Sequence, residues 1–175
     1  MVFLVILIIL LGIIGYIAKL NHDLLVNKDN ILRSMAALDS VIMKKNEAIL
    51  DVLSYAQEVM QKEANLVTEL FNLRHEINKI KPKIVNAPIR YQKQIEFDKK
   101  VVTFLQICSR YSELNKNSSF QKSLMIFQNL EETFKEKVNF YNTSVDKLNW
   151  SINTFPSSVL AQMASTKAPP PKYGA

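Results

Sequence analysis

The sequence predicts an all-α fold headed by a membrane-spanning helix, and three observations carry that reading. Val2 to Ala18 is an apolar run without a charge, amide or proline. The chain of 175 residues has only three glycines and is rich in Leu, Ile, Lys, Glu, Asn and Gln, a composition that suits helices and lacks the turn residues strands and tight hairpins need. Beyond the run, apolar residues recur at alternating steps of three and four, the mark of helices packed nearly side by side in a bundle or coiled coil.

About 13 of the roughly 17 residues in the run are Leu, Ile, Val or Phe, each worth about −0.3 to −0.6 kcal/mol at mid-bilayer, so insertion is favoured by several kcal/mol. At 1.5 Å per residue the run reaches about 26 Å, slightly short of a ~30 Å hydrocarbon core, so Lys19 is expected to snorkel or the bilayer to thin. A cleaved leader would carry a basic segment before the run and a small-x-small site after it; Ala18-Lys19-Leu20 is no such site. The expectation is a retained anchor over residues 1–19, a body over 20–156 and a tail over 157–175. About 155 residues outside the membrane suffice for one core and not for two.

In the body, the first repeat runs from Lys28 through Ile31, Met35, Leu38, Ile42, Lys45, Ile49, Val52, Ala56, Val59, Glu63, Leu66, Leu70, Leu73 and Ile77 to Ile80. Pro82 stops it, and residues 81–88, with Pro82 and Pro88, cannot form a continuous helix. A second amphipathic helix is expected from about Ile89 to Leu114, with Phe97, Val101, Leu105, Cys108 and Tyr111 on one face. Asn115 to Ser119 reads as a turn leading into an N-cap. The last helix has the clearest seam: Phe120, Leu124, Phe127, Glu131, Phe134, Val138, Tyr141, Val145, Leu148, Ile152 and Phe155, with Glu131 the one polar member. Phe155-Pro156 should end it near Asn153 or Thr154, because the residue before proline is pushed out of the α region. The tail offers Val159, Leu160 and Met163, then a proline run expected to be extended and unpacked.

Residues that carry chemistry are sparse. The formal charge of +6 is mixed with acids along most of the chain, which reads as a solvated surface rather than a nucleic-acid interface. The exception is 79–100, where Lys79, Lys81, Lys83, Arg90, Lys93, Lys99 and Lys100 outnumber Glu96 and Asp98. Cys108 stands alone in an apolar string, where it reads as a small core side chain. His22 and His75 are far apart and no Glu-x-x-His pair exists, so no metal site is expected; nor is any cofactor, phosphate loop or nucleophile with its base, and so no enzyme. Asn142, Asp146, Asn149 and Asn153 form a polar stripe, expected to set register through interhelical hydrogen bonds.

Phe140-Tyr141-Asn142, Leu148-Asn149, Ile152, Phe155-Pro156 and Leu160-Ala161 resemble the C-terminal signature of the LemA family, in which YN, a second YN, I, FP and IA recur at this spacing. Tyr111 to Leu114 with Phe120, Leu124 and Glu131 is similar to the family's YP-x-L and F-x-x-L stretch, and Asn21, Leu38-Asp39, Lys44-Lys45 and Ile49 to its region following an N-terminal anchor. Met35 stands where a Trp is usual, Leu50 and Ser112 replace prolines, Val138 an Arg and Leu148 the second Tyr, so the chain resembles a diverged member. The resemblance implies a bacterial membrane protein with a short external N-terminus and an antiparallel up-and-down four-helix bundle of long helices. It implies no particular activity. Four helices require the first repeat to fold back, and the polar stretch Gln57 to Asn65 is the place for it.

Such a bundle puts the 81–88 loop and the tail at the anchor's end, next to lipid, where Lys79, Lys81, Lys83, Arg90 and Lys93 would face anionic head groups at about 1 kcal/mol each. It also sets Glu131 level with about residue 47, so a Glu131 pair with Lys45 or Lys44 is expected to bridge the first and last helices. The functional expectation is a single-pass scaffold or protein-interaction module at the bacterial inner membrane, touching the lipid bilayer and a protein partner the sequence does not name, in an unspecified oligomeric state. The alternative is an anionic-lipid-surface or membrane-shaping protein using 79–100 and the tail; a third reading is a secreted coiled coil with its anchor facing outward. Lys19, Lys28 and Arg33 follow the run while only the amino group precedes it, so the positive-inside rule puts the body in the cytoplasm.

Overall fold

The computed structural model describes residues 1–174, and its regular structure there is entirely helical. Helix α1 (Val2–Val59) is continuous, as a stretch without proline allows. Its character changes along its length. Every large apolar side chain from Met1 to Ile17 is exposed, and an 18-residue window here has a mean hydropathy of 2.7, long and apolar enough to cross a membrane. From Leu24 onward one stripe is buried, through Ile31, Leu38, Ile42, Ile49 and Val52 to Ala56.

The chain then breaks at Met60, whose side chain is fully buried, and passes through a 3-10 turn at Gln61–Glu63. Helix α2 (Ala64–Lys79) folds back along α1, so that Arg74 Nε donates to the Asn46 carbonyl at 2.7 Å. A second 3-10 turn, Ile84–Asn86, leads into α3 (Ala87–Cys108). This helix runs parallel to α1: Gln94 meets Asn46, and Cys108 Sγ lies 3.5 Å from Met60 Sδ. It ends earlier than the amphipathic pattern suggests. The amides of Arg110 and Tyr111 bond back to Ile107 and Cys108, Asn115 Nδ2 takes the freed Ser109 carbonyl, and a separate short helix α4 (Ser112–Lys116) buries Leu114. On the buried face of α3, Phe104 is fully enclosed, and Leu105 is only half-buried.

Asn117 caps α5 (Ser118–Asn153) by accepting from the Phe120 amide at 3.0 Å, which satisfies one of the orphan donors of a helix start. The helix returns antiparallel to α1, and Asn27 Nδ2 donates to Ser151 Oγ at 2.9 Å. It stops at Asn153, ahead of Phe155-Pro156. A last helix, α6 (Ser157–Met163), follows. The amides of Ser165 and Thr166 close its end by bonding to the Gln162 and Ala161 carbonyls, a Schellman arrangement that puts Ser165 in the left-handed region at φ 46.

The tail corrects the expectation of an unpacked segment. Residues 167–173 are extended but lie against α5. Asn142 donates to the Tyr173 carbonyl at 3.1 Å and accepts from its amide at 2.8 Å, Tyr141 donates to the Pro171 carbonyl at 2.9 Å, and Lys172 pairs with Asp146 at 2.7 Å. Prolines suit such a segment because they bring no amide donors that packing would leave unmet.

Candidate functional site

Between α1, α2, α3 and α5 lies a chain of buried polar groups. Asp39 on α1 and Arg90 on α3 are both buried, and Arg90 Nε donates to Asp39 Oδ1 at 2.8 Å. Arg90 Nη1 also donates to the carbonyls of Ile77 (3.0 Å) and Ile80 (2.7 Å) at the end of α2. The guanidinium thus fastens three helices at once and satisfies carbonyls that α2 leaves open. Burial pushes the Asp39 carboxyl above its ordinary range, with Arg90 pulling it back.

Two turns along α1, Lys45 is fully buried, with its ammonium 2.7 Å from both Asp98 Oδ1 on α3 and Glu131 Oε2 on α5. The same nitrogen stands 4.1 Å from the centre of the Phe134 ring, within the range of a cation–π contact. Both ion pairs are close, although neither has the angles of a directed hydrogen bond. Gln94 extends the Lys45 centre to Asn46 on α1: it exchanges amide hydrogen bonds with Asn46 at 3.0 and 3.2 Å and donates to Asp98 at 2.8 Å. Lys44 is exposed and takes no part.

The tail seals this network. Tyr173 donates to Asp98 Oδ2 at 3.3 Å, and its ring lies 5.2 Å from that of Tyr91 and 5.4 Å from that of Phe134. Tyr91 in turn meets Tyr141 edge-on at 5.4 Å. Burial pushes the Tyr141 phenol up to about 12 and those of Tyr91 and Tyr173 higher still. Tyr173→Ala is expected to remove about 2 kcal/mol, less than a fully buried aromatic would because the ring is only partly buried. The check is limited proteolysis: the variant should be trimmed within 165–175 far faster than the parent, and equal protection would show that the prolines hold the tail unaided.

Burial is the largest influence on Asp98 and raises its carboxyl above the ordinary 3.8; Lys45 and Gln94 oppose the rise and Glu131 adds to it. The native state therefore holds this proton more tightly than the unfolded chain does. Stability associated with it is present below 3.8 and is lost as pH rises through the raised value. The melting temperature of the parent relative to Asp98→Asn should accordingly fall from acid toward neutral pH. A difference that widens in the parent's favour instead would mean that the pull of Lys45 outweighs burial and holds the carboxyl below its ordinary value.

The remaining sequence-picked residues separate. Among the proposed lipid contacts Arg90 is a correction: it is 2% exposed and engaged by Asp39, so it cannot reach a head group. Lys93 pairs with Glu76 across α2 and α3. Lys79, Lys81 and Lys83 are exposed, but their loop is not beside the apolar segment. Ile84 shares a cavity with Lys28 and Ile31 and another with Leu32 and Met35, about 13 to 24 Å beyond Lys19 along α1 at 1.5 Å per residue. The asparagine stripe does not set helix register either. Asn142 and Asp146 hold the tail, and Asn149 bonds Asn153 on its own helix. Tyr141 is buried, Ile152 half-buried, Pro156 half-buried, and Phe155 exposed. Cys108 is buried, and burial pushes its thiol up to about 12. Among the described residues no three His, Cys, Asp or Glu come together as a metal-holding group.

The model of the LemA family matches residues 34–171. The match covers the body from Ser34 onward, the whole polar network but Tyr173, and most of the tail. No curated protein and no solved structure is significantly similar to the chain.

Proposed function

The chain belongs to the LemA family, and from that premise we propose that it is a non-catalytic, single-pass scaffold or interaction module of the bacterial inner membrane. The apolar run is the anchor, its N-terminus outside, and the body in the cytoplasm is an antiparallel four-helix bundle of α1, α2, α3 and α5. One observation carries the reading. Helix α1 passes from fully exposed apolar side chains to a buried core stripe without a linker. A flexible tether would let the body roam; an unbroken helix fixes its height and heading relative to the bilayer, which is what a platform for another protein needs.

Deleting residues 2–18 tests it. The truncated chain should keep its helical circular dichroism and move from the membrane to the soluble fraction, while a C-terminal epitope on the full chain should resist protease until the membrane is breached. Retention of the truncated chain on salt-washed membranes would assign membrane contact to the body. An epitope cut in intact cells, or a processed N-terminus, would favour an envelope or secreted protein.

The anionic-lipid reading has one observation in its favour, the exposed cluster Lys79, Lys81 and Lys83. Distance weighs against it. The loop stands about 13 Å or more past the anchor's end, so even with head groups reaching about 5–7 Å beyond the hydrocarbon edge it lies most of a Debye length, about 8 Å at physiological ionic strength, from their charge. Changing Lys79, Lys81, Lys83 and Lys93 together to Gln is expected to leave vesicle binding unchanged at that salt.

A further inference from the structure

From the geometry at the foot of the body we propose that α6 is a second membrane contact, an interfacial helix whose apolar face lies in the bilayer beside the anchor. The inference rests on the anchor reading above. Phe155, Val159 and Met163 are 79%, 47% and 79% exposed. Val159 and Met163, four apart, share one face of α6, Phe155 stands just ahead of its start, and Ser157–Met163 carries no charge. This face does not stand alone. Phe155, Pro156, Val159, Leu160 and Met163 line one groove of about 270 Å³ with Tyr16, Ile17 and Leu20.

The occupant follows from that continuity. Tyr16 and Ile17 belong to the run whose large apolar side chains are all exposed, so whatever solvates the anchor also reaches α6. A bilayer satisfies both surfaces at once, whereas a protein partner would have to end where the lipid begins. The dimensions agree. The anchor's ~26 Å falls short of a ~30 Å hydrocarbon core, and α6 sits against Leu20, two residues past Ala18, which extends the apolar span by about 3 Å. Apolar residues on a short helix immersed about 5–10 Å at the head-group boundary are the ordinary design of interfacial helices. The mismatch is then met by a collar of side chains, with no need for the bilayer to thin.

The single Trp150 makes the test simple. In the full chain carrying Trp150→Phe, one of three substitutions, Tyr16→Trp, Phe155→Trp or Met163→Trp, supplies the only indole. Each protein is reconstituted in neutral phosphatidylcholine vesicles containing lipids brominated near the top of the acyl chains. Expected is a blue-shifted emission at 155 and 163 that bromine quenches for the most part, as at 16. Quenching at 16 but iodide-accessible, unquenched emission at 155 and 163 would overturn the inference and leave the anchor intact. Blue-shifted emission at 155 and 163 that bromine does not quench would overturn it in favour of a second copy or another protein. No quenching at any position would overturn the anchor reading, and the inference with it.

Discussion

Arg90→Met is expected to lower the free energy of unfolding by about 3–5 kcal/mol, the loss typical when one member of a buried ion pair is removed. Methionine fills much of the same volume, so the effect is electrostatic rather than a cavity. Three groups lose their partner at once: the Asp39 carboxylate and the carbonyls of Ile77 and Ile80. A buried polar group left unsatisfied costs about 1–3 kcal/mol, and a charge costs more. Asp39 has little to fall back on, because its second oxygen already lacks a hydrogen-bond partner. It will take up a proton more readily, since burial already raises its carboxyl, so the defect should be milder in acid than at neutral pH.

Urea denaturation of Arg90→Met, Asp39→Leu and the double variant checks this. The double variant should recover a substantial part of the loss, because replacing both charges by apolar groups spares the desolvation of either. It should not recover all of it, as the ends of α2 stay open. A single-variant loss under about 1 kcal/mol, the range of an exposed pair, would show that water reaches the site and that Arg90 does not fasten the helices.

The elements whose cause is local were legible in the sequence. The apolar run, the Asn117 cap and the stop at Asn153 each follow from one or two neighbouring residues. The fold-back at Met60 had no signal in the periodicity, because the three-and-four repeat continues through Val59 and Glu63 and cannot show a reversal that preserves it; only the four helices implied by the family resemblance placed it within Gln57 to Asn65. Arg90 was misread for a different reason. In a basic stretch it looks like one surface charge among seven, yet it stands seven residues before Phe97, and Arg90, Gln94, Phe97, Val101, Phe104 and Cys108 form the buried seam of α3. Extending that seam one heptad toward the N-terminus would have found it. The tail left no such signal. A proline run has no period, and the residues that capture it, Asn142 and Tyr141, lie far off in the sequence and look like helix-packing positions.

Lys45→Met carries the second large effect, about 3 kcal/mol lost, because it strands Asp98 and Glu131 beside each other in a half-buried site. Lys45 and Glu131 were visible as the polar interruptions of two apolar seams; Asp98, one position from Phe97, was hidden in the basic stretch. The geometry therefore makes the lysine shared, and sharing has a measurable consequence. Glu131→Gln should cost little alone, as Asp98 still neutralises the ammonium, and Asp98→Asn should cost somewhat more, since it also loses Gln94 and Tyr173. Removing both acids should cost well above the sum, because only then is Lys45 left as a bare buried cation, apart from the Phe134 ring. Adding Lys45→Met to that pair should restore stability toward the parent. Thermal melts of the complete cycle read the coupling directly. Additive losses would mean that each acid is held by its own surroundings, and the buried lysine would then be a passenger of the α1 seam rather than the bolt between α1, α3 and α5.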